Sequence, residues 1–211
     1  VEEPNARDNE LLALEIVSDL GFAELTSATG WSRFDEGGQR DQTDLLITLE
    51  YGYEGFPNFT SFTREDQEDE TINQEIRLVS SHGGPVSWII GGFYNHLDRF
   101  SESREFAPGY DQFAVDFYGG VALRPDALEY FSVDDTELTE KAVYGEVTVD
   151  ITDRWDVTGG LRYYDYELVT ASAVDFPLLR TVFFGDPADS IVLDFEDGGQ
   201  SDDGVLFKIN S

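Results

Sequence analysis

Residues 151–166 read ITDRWDVTGGLRYYDY, and taken alternately they separate into two sets. Trp155, Val157, Gly159, Leu161 and Tyr163 form one, and Asp156, Thr158, Gly160, Arg162, Tyr164 and Tyr166 form the other. Successive side chains on a strand point to opposite faces, so this stretch is a strand with one apolar and one polar face. The alternation recurs in 141–150, where Val143, Gly145, Val147 and Val149 oppose Tyr144, Glu146, Thr148 and Asp150. It recurs again in 72–79, where Ile72, Ile76 and Leu78 oppose Asn73, Glu75 and Arg77. It is less clean over 86–96 and assigns no face to 22–34. In all, the pattern predicts seven strands, over about 11–18, 22–34, 72–80, 86–99, 141–151, 154–168 and 203–211.

The spacing of these strands says more than their existence. Residues 19–21, 81–85 and 152–153 are hairpin connections in which Gly, Pro and Asp supply the turn. The intervening connections, 36–70, 101–139 and 169–201, are long, and short and long alternate strictly. Loops beyond about 12–15 residues are uncommon in a compact domain. A transmembrane β-barrel has short turns at one end and long loops at the other, with strands of about 9–11 residues. The prediction is therefore an all-β fold, an antiparallel transmembrane β-barrel fragment of about seven strands with long acidic loops. Its apolar face would meet lipid and its polar face a wet lumen, where Glu75, Arg77, Glu146 and Arg162 are tolerated. Trp88 and Trp155 follow short turns, as an interfacial girdle requires, and Trp31 falls near the opposite end. Buried core tryptophans remain an alternative, because a soluble sandwich gives the same local alternation.

Charge sharpens the picture. Asp and Glu number 44 against 13 Lys and Arg, a formal net charge of −31. That balance argues against nucleic acid, whose binding requires basic neutralisation of phosphates. The three long connections hold 25 of the 44 acidic residues and 5 of the 13 basic ones, so the acidity concentrates in the predicted loops. With no cysteine, disulfides, thiolate zinc sites and thiol catalysis are excluded. No apolar run approaches the 18 or so residues of a membrane helix, and no secretory leader is visible. The chain lacks methionine and starts VEEPNARDNE, which reads as the middle of a loop, so a fragment is expected.

At this point several segments resemble one known family, the TonB-dependent outer-membrane receptors. INQEIRLVSSHGGPVSWIIGGFY (72–94) resembles their QELRL-turn-W-GxFY hairpin. YGEVTVDITDRWDVTGGLRYYDYE (144–167) is similar to FGEATYDLTDRL-TAGLRY, with DDGVLFKINS (202–211) as the strand that follows. LGFAELTSATGW (20–31) is similar to an upstream hairpin of the same family. The resemblance implies a plugged barrel of about 22 strands in the cell outer membrane. It also implies import of a small-molecule nutrient of siderophore, vitamin or glycan type, with energy relayed by the TonB complex. Residues 1–211 would then be a partial barrel domain without the plug that contacts TonB, its partners being outer-membrane lipid and the nutrient ligand. A passive porin and a soluble acidic β-sandwich binding module are the alternatives.

Little enzymatic or metal chemistry is signalled. His82 and His96 are far apart and lack metal-ligand spacing. The acidic runs Glu65–Glu70 and Asp194–Asp197 lack the spaced carboxylates of a calcium loop and read as solvated loop. No P-loop, GxSxG or HExxH motif occurs, so no catalytic residue, metal or cofactor is expected. Loop aromatics are more suggestive. Tyr51, Tyr53, Phe56, Phe59 and Phe62 crowd one loop, and Phe106, Tyr110, Phe113, Phe117 and Tyr118 the next. Tyr51, Tyr53, Phe56, Phe106, Tyr110 and Phe113 are the candidate ligand contacts, and packing of loop against loop is the competing role for the same rings. An acidic mouth disfavours anionic ligands and suits neutral or cationic ones.

Overall fold

The computed structural model describes residues 2–48, 52–81 and 83–211. Seven strands form a single antiparallel sheet in chain order, each paired with the next. They are β1 (Asn5–Asp19), β2 (Ala23–Asp41), β3 (Phe62–Ser80), β4 (Val86–Phe106), β5 (Leu128–Thr152), β6 (Trp155–Asp175) and β7 (Glu196–Asn210). Short turns join the strands at one end. At the other, the connections carry α1 (Thr43–Thr48), a 3-10 turn at Tyr53–Gly55, α2 (Tyr110–Tyr118) and α3 (Pro177–Phe184). No described helix is long and apolar enough to cross a membrane.

Register turns the alternation along each strand into rows across the sheet. One row reads Ser18, Leu25, Leu78, Ile90, Gly145, Leu161 and Phe207. Its neighbour on the opposite face reads Val17, Thr26, Arg77, Gly91, Tyr144, Arg162 and Leu206. The pairing also assigns 22–34. Leu25, Ser27, Thr29 and Trp31 share the apolar face with Leu78, Ile76, Gln74 and Ile72. The sequence hid this because β2 carries small residues on both faces. No second layer covers the apolar face among the described residues: Leu161 is 54% exposed and Phe207 78%.

The polar face is organised by hydrogen bonds. Tyr144 donates to Glu75 Oε1 at 2.6 Å, and Lys208 Nζ meets Glu146 Oε2 at 2.7 Å. The Tyr144 ring lies over its cross-strand neighbour Gly91, where an added Cβ would come within 2.5 Å of it. Gly91 thus admits an aromatic ring that a larger residue would displace.

The strands run well beyond the predicted limits, always toward the helical end. The expected 72–80 is in fact Phe62–Ser80, and 141–151 is Leu128–Thr152. The true connections shorten to 42–61, 107–127 and 176–195. The extensions escaped the pattern because they are polar on both faces, as in Thr63–Thr71 (TREDQEDET), so no apolar alternation marks them. Cross-strand pairing of opposite charges accompanies them: Arg99 with Asp69 at 2.7 Å, Arg7 with Glu36 at 2.7 Å, and Arg40 with Glu65. Much of the acidity assigned to loops therefore stands on strands. Glu65–Glu70 is not one cluster, since its carboxylates alternate between faces. Five of them meet Arg40, Arg104, Arg33, Arg99 and the Trp31 indole.

Among the described residues the main dry core forms beyond the sheet, where the three connections fold together as a cap. Leu46, Tyr53, Phe59, Ala107, Tyr110, Ala114, Leu178 and Val182 are its buried members. A smaller cluster of Leu128, Phe131 and Val133 packs with Phe106 and Leu193 beside it. Glycine sets the helix limits: Gly109 and Gly119 bracket α2 at φ 77° and 78°, and Gly185 ends α3 at φ 80°. Pro177 opens α3, where no backbone donor is needed. Arg124, 1% exposed, ties the cap together through Asp126 Oδ1 (2.9 Å), Ser190 O (2.7 Å) and Thr181 Oγ1 (3.2 Å).

Hydrogen bonds from a charged donor contribute about 1.5–3 kcal/mol. Arg124→Ala should therefore loosen the cap by about 2–3 kcal/mol. Hydrogen exchange should speed up over 120–127 and 181–192, while the amides of β3 to β6 keep their protection.

Candidate functional site

The cap brings four of the candidate aromatics together. Tyr53 stacks on Phe59 with ring centroids 4.9 Å apart and tilts against Tyr110 at 4.7 Å. Phe56 stacks on Phe113 at 4.9 Å. Such pairs add about 0.5–1.5 kcal/mol each beyond the area they bury. Tyr53 and Tyr110 are each 4% exposed, so their rings face protein. Phe106 stands apart from this group. It ends β4, stacks on Phe62 at 4.9 Å and carries the Arg64 guanidinium over its ring. Tyr51 lies outside the described residues, as does His82.

The floor of the cap is built by an irregularity in the β4–β5 ladder. Glu105 pairs with Tyr130 and Phe106 with Leu128, leaving Glu129 as the extra residue of a β-bulge. A bulge places two residues against one and re-aims the side chain of the extra residue. Here the Glu129 carboxylate turns to the cap and accepts the Tyr53 hydroxyl at 2.5 Å on Oε1. Its Oε2 has no hydrogen-bond partner among the described residues, although the residue is 8% exposed. Glu129 lines a cavity of about 300 Å³ walled by Tyr53, Tyr110, Phe176, Leu178, Leu179 and Phe183. A larger hollow of about 1050 Å³ lies along Trp88, Val147, Gly159, Leu161 and Phe207, mostly on the apolar face of the sheet.

Electrostatics at the floor follow from burial. Loss of water, then the neighbouring charges of Glu129 and Glu65, pushes the Glu105 carboxyl up to about 7. Burial also raises Glu129, partly offset by the hydrogen bond from Tyr53. The Tyr53 hydroxyl is driven up by burial and by Glu129, and Tyr110 by burial to about 12. Sequence reasoning missed Glu105 and Glu129, because nothing local announces a bulge and both looked like two more acids in an acidic loop.

His96 is not isolated. It shares a 2.9 Å hydrogen bond through Nδ1 with Thr139 Oγ1, and Nε2 lies 3.4 Å from Asp98 and 3.9 Å from Glu137. The three ligand atoms fall within 4.8 Å of one another, an arrangement made by cross-strand pairing and invisible as sequence spacing. Asp98 and Glu137 are solvent-exposed, so the geometry is that of a surface ion-pair cluster.

A family model described as "TonB dependent receptor-like, beta-barrel" matches residues 7–205. The chain belongs to this family. Solved TonB-dependent receptors share its fold. The ferric yersiniabactin uptake receptor FyuA from Yersinia pestis superposes with a TM-score of 0.63 at 16% identity, over 98% of this chain and 25% of that one. The siderophore receptor PiuA from Acinetobacter baumannii gives 0.55 at 12% identity, over 97% and 30%. The ferric-catecholate import receptor Fiu from E. coli K12 gives 0.53 at 14% identity, over 98% and 33%. The chain thus spans between a quarter and a third of the length of these receptors. No curated protein matches it.

The cap chemistry generates a pH dependence. A carboxyl raised from 4.5 to about 7 holds its proton more tightly in the folded cap than in the unfolded chain. The stability this contributes is complete below about 4.5 and is lost as pH rises through about 7. Opening of the cap, read by hydrogen exchange corrected for intrinsic rate, should be rarer at pH 5.5 than at pH 8. Glu105→Gln should flatten that difference.

Proposed function

We propose that this chain forms part of the barrel wall of an outer-membrane, TonB-dependent active transporter that imports a small-molecule nutrient. The observation that carries the reading is the two-faced sheet: an uncovered apolar face backed by a face of charged and hydrogen-bonded side chains. Hairpin turns at one end and a folded cap at the other supply its polarity. Lipid suits the apolar face, since it leaves Leu161, Ile90 and Phe207 in an apolar solvent instead of water. The opposite face, with Arg77, Tyr144 and Arg162 in one row, would meet the lumen and the plug through which TonB transmits energy. The cap would stand on the outer side, where nutrient is captured. FyuA is described as a ferric yersiniabactin uptake receptor, PiuA as a siderophore receptor and Fiu as a ferric-catecholate import receptor. The acidity of this chain favours a neutral or cationic cargo over an anionic one.

Trp155 marks the girdle at the turn end, and half of a ~25 Å apolar band lies about five or six tilted residues above it, near Leu161. In the full-length receptor, Leu161→Arg should cost about 2–4 kcal/mol of folding into bilayers. Tyr164→Arg, on the lumen face beside Asp202, should fold normally. Leu161→Phe should be nearly neutral against lipid but overpack a dry core. Damage from Leu161→Phe equal to that from Leu161→Arg would refute the lipid assignment.

Sidedness is tested separately on intact cells. Cysteine at the exposed cap position Ala188 should react with an impermeant reagent, and cysteine at Asp153 in the opposite turn should not. The reverse pattern would overturn the orientation.

A further inference from the structure

We propose that the cavity at the β4–β5 bulge binds a small organic cation, an alkylammonium group carried on an apolar or aromatic body. This rests on the reading above only in placing the cavity at the mouth of a receptor. The chemistry comes from the walls. Tyr53, Tyr110, Phe176 and Phe183 give apolar surface, and aromatic faces attract a desolvated cation. Glu129 supplies the counter-charge. One of its oxygens is held by Tyr53, which fixes the carboxylate plane, and the other is left open.

Glu105 is a second carboxylate beside the bulge, its proton affinity raised by burial and then by the Glu129 charge, and Glu65 lies on the same side of the sheet. The cations of the adjoining cap segments are committed elsewhere: Arg124 to Asp126, Ser190 and Thr181, and Arg180 to Asp186 and Asp175. Among the described residues no basic side chain lines the cavity, so an anion would meet repulsion without compensation. A bare divalent ion is also a poor fit, because calcium takes about 6–8 oxygen ligands and these walls are mainly rings and leucines. A single ammonium needs one carboxylate and a dry wall, and that is what the cavity offers. At about 300 Å³ it sits at the small end of ligand pockets.

The proposal predicts proton linkage. A bound cation favours the ionised carboxylates, so its affinity rises as pH passes through about 7, where Glu105 loses its proton. Tyr53 and Tyr110, both raised, stay protonated throughout, and Glu54 acts on the cavity only through Tyr110.

The test is calorimetric titration of the full-length receptor in detergent micelles with phenethylammonium, phenethyl alcohol and 3-phenylpropionate. Phenethylammonium should bind best of the three, and about tenfold tighter at pH 8 than at pH 6. Glu129→Gln keeps an acceptor for Tyr53, and it should lower phenethylammonium affinity at least tenfold while leaving phenethyl alcohol unchanged. Glu105→Gln should flatten the pH dependence. Hydrogen exchange at Val182 verifies that each variant retains the cap. The proposal is overturned if phenethylammonium does not bind, if either comparison compound binds equally well, or if both variants behave as wild type. These outcomes are independent of bilayer folding and cysteine labelling, so the cavity and the transporter reading fail separately.

Discussion

The whole arrangement depends on pairing backbone donors and acceptors from strand to strand while separating an apolar face from a polar one. A strand in contact with hydrocarbon has no water to satisfy its peptide groups, so each must be bonded to a neighbour. The ladder from β1 to β7 does this at every strand-to-strand seam, with slips only beside Glu129 and Ile151, and the two-residue period then sorts side chains without further instruction. A shift of one residue in any pairing would exchange the Leu161 row for the Arg162 row. The hydrogen bonds between Tyr144 and Glu75 and between Lys208 and Glu146 hold the polar face in that register.

Beyond the apolar band the balance of forces changes. Apart from the small cluster of Leu128, Phe131, Val133 and Phe106, the extensions of β2 to β5 bury little apolar surface, and exposed ion pairs contribute only about 0–1 kcal/mol each. What stabilises them is the cap above, whose rings and aliphatic side chains form the one substantial dry core among the described residues. The extensions are therefore clamped from both ends. The regular ladder of the two-faced band fixes them below, and the packing of Leu46, Tyr53, Tyr110 and Val182 fixes them above.

The wall was legible in the sequence wherever one solvent per face imposed a two-residue rhythm. Strands such as 154–168 announced themselves because Leu161 and Arg162 answer to different environments. The rhythm stops at about Thr71, where both faces of β3 meet water and every position tolerates Glu or Asp, so 62–71 read as loop. The cap was half legible. Its aromatics stood out, and the rings at Tyr53, Phe56, Tyr110 and Phe113 do converge. Their floor was not readable, because Glu129 acquires its role from a one-residue mismatch between β4 and β5 that exists only in three dimensions. His96 illustrates the same limit, since its carboxylate neighbours come one from its own strand and one from across the sheet.

That mismatch has a wider consequence. In a ladder of strict parity, every substitution is tied to a face, and inserting a residue propagates an inversion to the end of the strand. The bulge at Glu129 absorbs the slip locally, so the segment before it is out of phase with the wall beneath. The cap is in effect a separately indexed module mounted on a regular sheet. Length changes in 107–127 can reshape the cap without disturbing the pairing from Tyr130 onward. The shape of the cap and the register of the sheet become independent variables of one chain.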